Sequence, residues 1–171
     1  MFNKQSLLLR NKIVFAVVLS LYLVSPFAVY AGNISQSIKE PLIKPNGGFY
    51  YIFKRGYEKI LEKFQFSNAS KLNYHQNLLL NRFSELKYVA ENKDVGELQT
   101  STQRFSYEAG KLAQLSGKLN STDNARIQNL FREYKPVLER LRDLYPANSS
   151  FWMLLQHDIN TLEILSKKLQ S

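Results

Sequence analysis

The chain of 171 residues contains no cysteine. That excludes disulfide frameworks, thiol nucleophiles and cysteine-ligated metals, without arguing against export. Histidine is nearly as scarce, with only His75 and His157. Neither has a second ligand type three or four positions away in its own segment, so the spacing of a metal site is missing. His75 lies on an apolar stripe, where a core or rim histidine making one hydrogen bond is the ordinary expectation. There is no glycine-rich phosphate loop, no GxSxG and no HExxH. A chain with neither cysteine nor a usable His–carboxylate pairing reads as a non-enzyme, with no cofactor and no metal. Seven glycines and five prolines are too few for a low-complexity chain or a loop-rich sandwich.

What is present begins with charge. The formal net charge is +9. Lys4, Arg10 and Lys12 stand in the first twelve residues, and an excess of six positive charges remains beyond them. Such an excess permits weak attraction to anionic surfaces and specifies no partner. After this basic start comes the apolar run "IVFAVVLSLYLV", Ile13 to Val24. Ser25-Pro26, where a helix would break, and "AVYAG" close the segment. Val29 and Ala31 take the minus-three and minus-one places of a cut before Gly32, as signal peptidase requires. The order is that of a secretory signal. Counted through Ala31, the apolar stretch also reaches nineteen residues, just enough to span a bilayer. An uncleaved anchor is therefore the rival reading of residues 1–31. Both readings place the rest of the chain outside the cytoplasm, with the positive flank inside.

Residues 32–46, "GNISQSIKEPLIKPN", form a polar linker with Pro41 and Pro45. Residues 47–171 then show helical periodicity throughout. The first stripe is Phe49, Ile52, Phe53, Tyr57, Ile60, Leu61 and Phe64, with lysines and glutamates opposite and Asn46 as a cap. Gly56 interrupts it at about 1 kcal/mol relative to alanine, which suggests a close approach there. The second stripe, opened by "SNASK", is Leu72, His75, Leu79, Phe83, Leu86 and Ala90, widened by Leu78 and Leu80. The third, Leu98, Thr102, Phe105, Ala109, Leu112 and Leu119, is thinner, contains small residues and is weakened by Gly96, Gly110 and Gly117. The fourth runs from Ile127 through Leu130, Phe131, Tyr134, Leu138 and Leu141 to Tyr145, and Pro136 predicts a kink or break near Tyr134. The fifth, after "PANSS", is Trp152, Leu155, Ile159, Leu162, Leu165 and Leu169. Five amphipathic helices behind a signal peptide or anchor make an all-α bundle.

Four Asn-x-Ser/Thr triplets begin at Asn33, Asn68, Asn120 and Asn148; three fall at helix starts, where capping explains them. Glu58 and Glu62 stand one turn apart, but Lys54, Lys59 and Lys63 surround them, as on a solvated ion-paired face. Nucleic-acid binding wants aromatics and basic residues on one exposed surface. In the first helix they fall on opposite faces, so the rings read as core and the lysines as solvent-facing. With the export signal, this argues against nucleic acid. Lys54, Arg55, Lys59 and Lys63 are left as the candidate contact surface for an envelope protein or an anionic envelope polymer. A basic amphipathic helix so close to the membrane segment also allows weak contact with a membrane surface.

The segments "FYYIFKRGYEKILEKFQFS" and "KLNYHQNLLLNRFSELK", following an export signal and a proline-containing linker, resemble the bacterial exported domain catalogued as domain of unknown function 5667. Phe49, Tyr50, Ile52, Phe53, Lys54, Arg55, Tyr57, Glu58, Lys59 and Ile60 carry the first element of the likeness. Lys71, His75, Arg82, Glu85 and Leu86 carry the second. The likeness covers about residues 42–115. Gly56 departs from it, standing where a bulky apolar residue is usual. The resemblance implies an exported helical domain and supplies no catalytic residue.

The resulting expectation is an exported helical module that binds or scaffolds at the cell envelope. A single-pass anchored sensor or regulator is the alternative, and a hydrolase of envelope polymers using glutamates stands third.

Overall fold

Short polar side chains set the helix boundaries. In the computed structural model, residues 41, 44, 45 and 48–170 are described, and they form five α-helices with no strand among them. These are α1 (Phe49–Lys63), α2 (Asn68–Glu91), α3 (Val95–Ser116), α4 (Ser121–Arg142) and α5 (Ser150–Lys168). Ser67 Oγ accepts the Ser70 amide at 3.0 Å, Asn120 Oδ1 that of Asp123 at 2.8 Å, and Ser149 Oγ that of Trp152 at 3.2 Å. Each caps the start of a helix, so the polar triplets near Asn68, Asn120 and Asn148 coincide with caps. Gly48 precedes α1 without a side-chain cap, and Asn46 lies outside the described residues.

Between α2 and α3 the chain reverses in three residues. Lys93 takes a left-handed conformation with φ 53°, and the amides of Lys93 and Asp94 bond back to the carbonyls of Ala90 and Val89. This is the Schellman ending of a helix, here without its usual glycine. The tight reversal lays α3 along α2, their shared interface being the largest in the fold, and α4 and α5 form a second hairpin against it. The small side chains of α3 have a purpose in this arrangement. Ser101, Thr102, Ala109, Ala113 and Ser116 are all buried, and α3 packs on α2, α4 and α5 together.

The core lies between these four helices. Phe83 stacks on Tyr134 with ring centroids 4.2 Å apart and meets Phe105 at 5.5 Å. Leu79, Leu86, Leu98, Leu112, Ile127, Leu138 and Leu155 surround them with no exposed surface. Tyr145 donates from its hydroxyl to the Ala90 carbonyl at 3.1 Å, tying the end of α4 to the end of α2. Every member of the core cluster lies between Leu72 and Leu169, and Asn33–Ser171 forms one compact unit. A chain starting at Asn33 therefore carries every core residue among those described.

Two expectations are corrected. Pro136 does not break α4, which runs on to Arg142; the proline sits on its exposed side. No close approach explains Gly56, since a Cβ there would meet nothing within 4 Å. The signal segment and its cleavage residues Val29, Ala31 and Gly32 lie outside the described residues, as does most of the linker. Among the described residues no helix is long and apolar enough to cross a membrane.

Candidate functional site

The first helix is turned the opposite way from the expectation. Of its stripe, Phe49, Ile52, Phe53, Tyr57, Ile60 and Phe64 are exposed, with Phe49 at 70% and Phe53 at 61%. Tyr50 and, just beyond the helix, Phe66 add to the same outward surface, Phe66 at 85%. The rings are not core, and the side read as solvent-facing is the one laid against the bundle.

The cause lies in α2. Arg82 and Glu85 are buried, three positions apart, and Arg82 holds both Glu85 oxygens, at 2.7 and 2.9 Å. A charged pair without water needs further partners to satisfy its remaining hydrogen-bonding positions. The inner side of α1 supplies them. Lys54 Nζ stands 2.5 Å from Glu85, Tyr51 donates its hydroxyl proton to Glu85 at 3.0 Å, and Arg82 also pairs with Glu58. Arg104 from α3 donates to the Tyr51 oxygen at 2.8 Å, and Arg55 braces Glu58 at 3.0 Å. Tyr74 donates to the Glu58 backbone carbonyl at 2.6 Å. Glu58 Oε1 keeps no hydrogen-bond partner; Lys54 Nζ is 3.9 Å from it. One turn on, Lys111 pairs with Glu62, and His75 lies between Glu62 and Glu108, bonding to the latter.

The seam shifts its own titrations. Burial pushes the Glu85 carboxyl upward, but the charges of Arg82 and Lys54 outweigh it and hold the group below the usual carboxylate range. Burial, then the Glu85 charge, pushes Tyr51 up to about 12. The Lys111 hydrogen bond draws Glu62 down. Elsewhere Asp158, buried between α3 and α5, is raised well above its ordinary value by burial, only partly offset by the Ser106 hydroxyl that donates to it.

These placements revise the candidate contact residues. Lys54 is engaged internally and Arg55 partly so, leaving Lys59 and Lys63 exposed. Lys59 and Lys63 line a groove of about 750 Å³ with Phe66, Lys71, Tyr107 and Lys111, above Glu62 and His75. The groove thus gathers four lysines around one carboxylate, and that carboxylate is already paired. His75, expected to make one hydrogen bond, sits 2% exposed beside two carboxylates. Among the described residues no three acidic or histidine side chains are placed to hold a metal ion.

Sequence reasoning missed Tyr51, Arg82 and Glu85 as the residues that orient α1. A signal was present: Arg82 and Glu85 fall between Leu78 and Val89 at helical spacing, so a charged pair was bound to be drawn into the packed side of α2. Comparison of the chain with family models, with curated proteins and with solved structures returned no match.

Proposed function

We propose that this protein is a non-enzymatic, extracytoplasmic binding module of the cell envelope that docks through the outer face of α1. The exposed aromatic stripe is the observation that carries this reading. A helix whose polar side is consumed by the bundle and whose rings face outward presents the contiguous apolar surface that marks an interaction site. The signal-like first 31 residues and the resemblance over residues 42–115 to an exported helical domain support the location. Glu58 and Glu62, the carboxylates a hydrolase would need, are held by Arg82, Arg55 and Lys111, which supports a binding role over acid–base chemistry. If Ile13–Ala31 is retained, the same face belongs to an anchored sensor or regulatory domain; gel mobility with signal peptidase blocked separates the two cases.

The test is envelope fractionation of residues 33–171, exported behind an efficiently cleaved signal. The wild-type domain is expected in the envelope fraction, and Phe53→Glu with Ile60→Glu is expected to move it to the soluble fraction with its circular dichroism unchanged. Equal distribution of the two would overturn docking through α1.

A further inference from the structure

Resting on that docking reading, we infer that the outer face of α1 seats on an anionic lipid bilayer, the rings at the acyl boundary and the lysines of the adjoining groove against headgroup phosphates. Charge placement selects this occupant. The only acidic residues of α1 are Glu58, which turns inward to Arg82, and Glu62, which lines the groove and is neutralised there by Lys111. The outward side therefore carries an excess of cations: Lys59 and Lys63 are exposed and Lys71 extends the row along the groove, where the one carboxylate, Glu62, is already answered by Lys111. A second copy of the chain packed on this face would bring these lysines together with no unpaired carboxylate from α1 to answer them. An anionic leaflet supplies the missing charge.

The apolar half of the face fits the same partner. Phe49, Tyr50, Ile52, Phe53, Tyr57, Ile60 and Phe64 combine bulky aliphatic and aromatic groups with phenolic hydroxyls, the composition that settles at the level of lipid headgroups. Phe66 belongs both to this exposed surface and to the lining of the lysine groove, so insertion and headgroup contact are contiguous. The tether agrees. Residues 32–48 separate the apolar N-terminal run from α1, a reach of at most roughly 60 Å at full extension. A retained anchor would hold the face within that distance of a bilayer; a cleaved one leaves the affinity to the face itself.

Flotation of residues 33–171 with vesicles tests the inference. Phosphatidylglycerol–phosphatidylcholine vesicles are expected to bind the domain at least tenfold more tightly than phosphatidylcholine alone. Lys59→Gln with Lys63→Gln is expected to weaken binding to the anionic vesicles roughly 25-fold, about fivefold for each lysine near an anionic surface. Phe53→Glu with Ile60→Glu is expected to abolish binding to both. Both residues are more than half exposed, so these substitutions leave the fold intact. Failure of the wild-type domain to bind anionic vesicles overturns the lipid assignment, as does binding indifferent to Phe53 and Ile60. If envelope retention still depends on Phe53 in that event, docking through α1 stands and its partner is a protein. A dimer in sedimentation that Phe53→Glu splits would identify that protein as a second copy. Loss of both vesicle binding and Phe53-dependent retention removes the docking reading as well.

Discussion

Helix α1 and the α2–α5 bundle are built from the same kinds of residue in opposite arrangements. In the bundle, Phe83, Phe105 and Tyr134 meet at the centre and charge is mostly outside. In α1 the charges of Lys54 and Glu58 are inside and the rings outside. The two regions are held by different forces. Apolar burial stabilises at about 25 cal/mol per Å² and tolerates no substitute for lost volume. Buried ion pairs lose much of their attraction to desolvation and mainly fix geometry. A helix attached through such pairs is positioned without being strongly bound, and its apolar side stays available. Hydrophobicity thus serves cohesion in α2–α5, whereas in α1 it stays at the surface.

The contrast is broken most forcefully by removing one ring from each region. Phe83→Ala deletes a side chain with no exposed surface from between Phe105 and Tyr134 and is expected to cost about 3–5 kcal/mol. Phe53→Ala, at a site 61% exposed, is expected to stay within about 0.5 kcal/mol. Urea unfolding of residues 33–171 measures both. A loss above about 2 kcal/mol for Phe53→Ala would mean that the outer face is covered within the molecule, and the comparison would fall.

How much of this was legible in the sequence follows the same division. The stripes through Leu79 and Phe83, Phe105 and Leu112, Phe131 and Leu138, and Leu155 and Ile159 are all buried as their periodicity indicated. The caps at Ser67, Asn120 and Ser149 were readable from residue type. Periodicity assigns residues to a common face but does not say which face is covered. For α2 to α5 the two questions have one answer, because apolar faces find each other. For α1 the answer depended on an ionic demand about four turns into a different helix, at Arg82 and Glu85, which no local pattern around Phe49–Lys63 contains. The lysine groove was hidden for a related reason: Lys59, Lys63, Lys71 and Lys111 come from three helices and converge only in the fold.

The ionic attachment can be severed directly. Arg82→Met leaves Glu58 and Glu85 buried without their main counter-charge, a change that costs about 3–5 kcal/mol where no relief exists. Relief does exist here, because release of α1 admits water to both carboxylates. The loss is therefore expected to appear as opening of one helix. Amide exchange in Phe49–Lys63 should accelerate at least tenfold while the core amides of α2 to α5 change less. Uniform acceleration would show that α1 unfolds only with the bundle. Acid should imitate the variant. Glu85 and Glu62 both titrate below their ordinary value in the folded chain. The stabilisation they confer is complete above the unfolded glutamate pKa, about 4.3, and is lost as pH falls through their lower folded values. Protection of the α1 amides, taken relative to their intrinsic exchange rates, is thus expected to fall below about pH 4, ahead of the bundle, and a loss of protection confined to the alkaline side would contradict the assignment.

The finest test uses one methyl group placed in each region. Gly56 in α1 and Gly110 in α3 are both interior helical residues, and a Cβ on either would meet nothing within 4 Å. Alanine is favoured over glycine in a helix by about 0.5–1 kcal/mol, through the backbone freedom removed from the unfolded chain. Where that gain is read out depends on how the helix is coupled. α3 packs on α2, α4 and α5, so Gly110→Ala is expected to raise the global stability by nearly the full amount, visible in the urea midpoint. α1 shares no extensive interface with any other helix, so Gly56→Ala is expected to slow amide exchange in Phe49–Lys63 by about two- to fivefold and leave the midpoint almost unmoved. Equal shifts in the midpoint for the two substitutions would place α1 inside the cooperative unit, and the ionic seam would then have to be counted as part of the core.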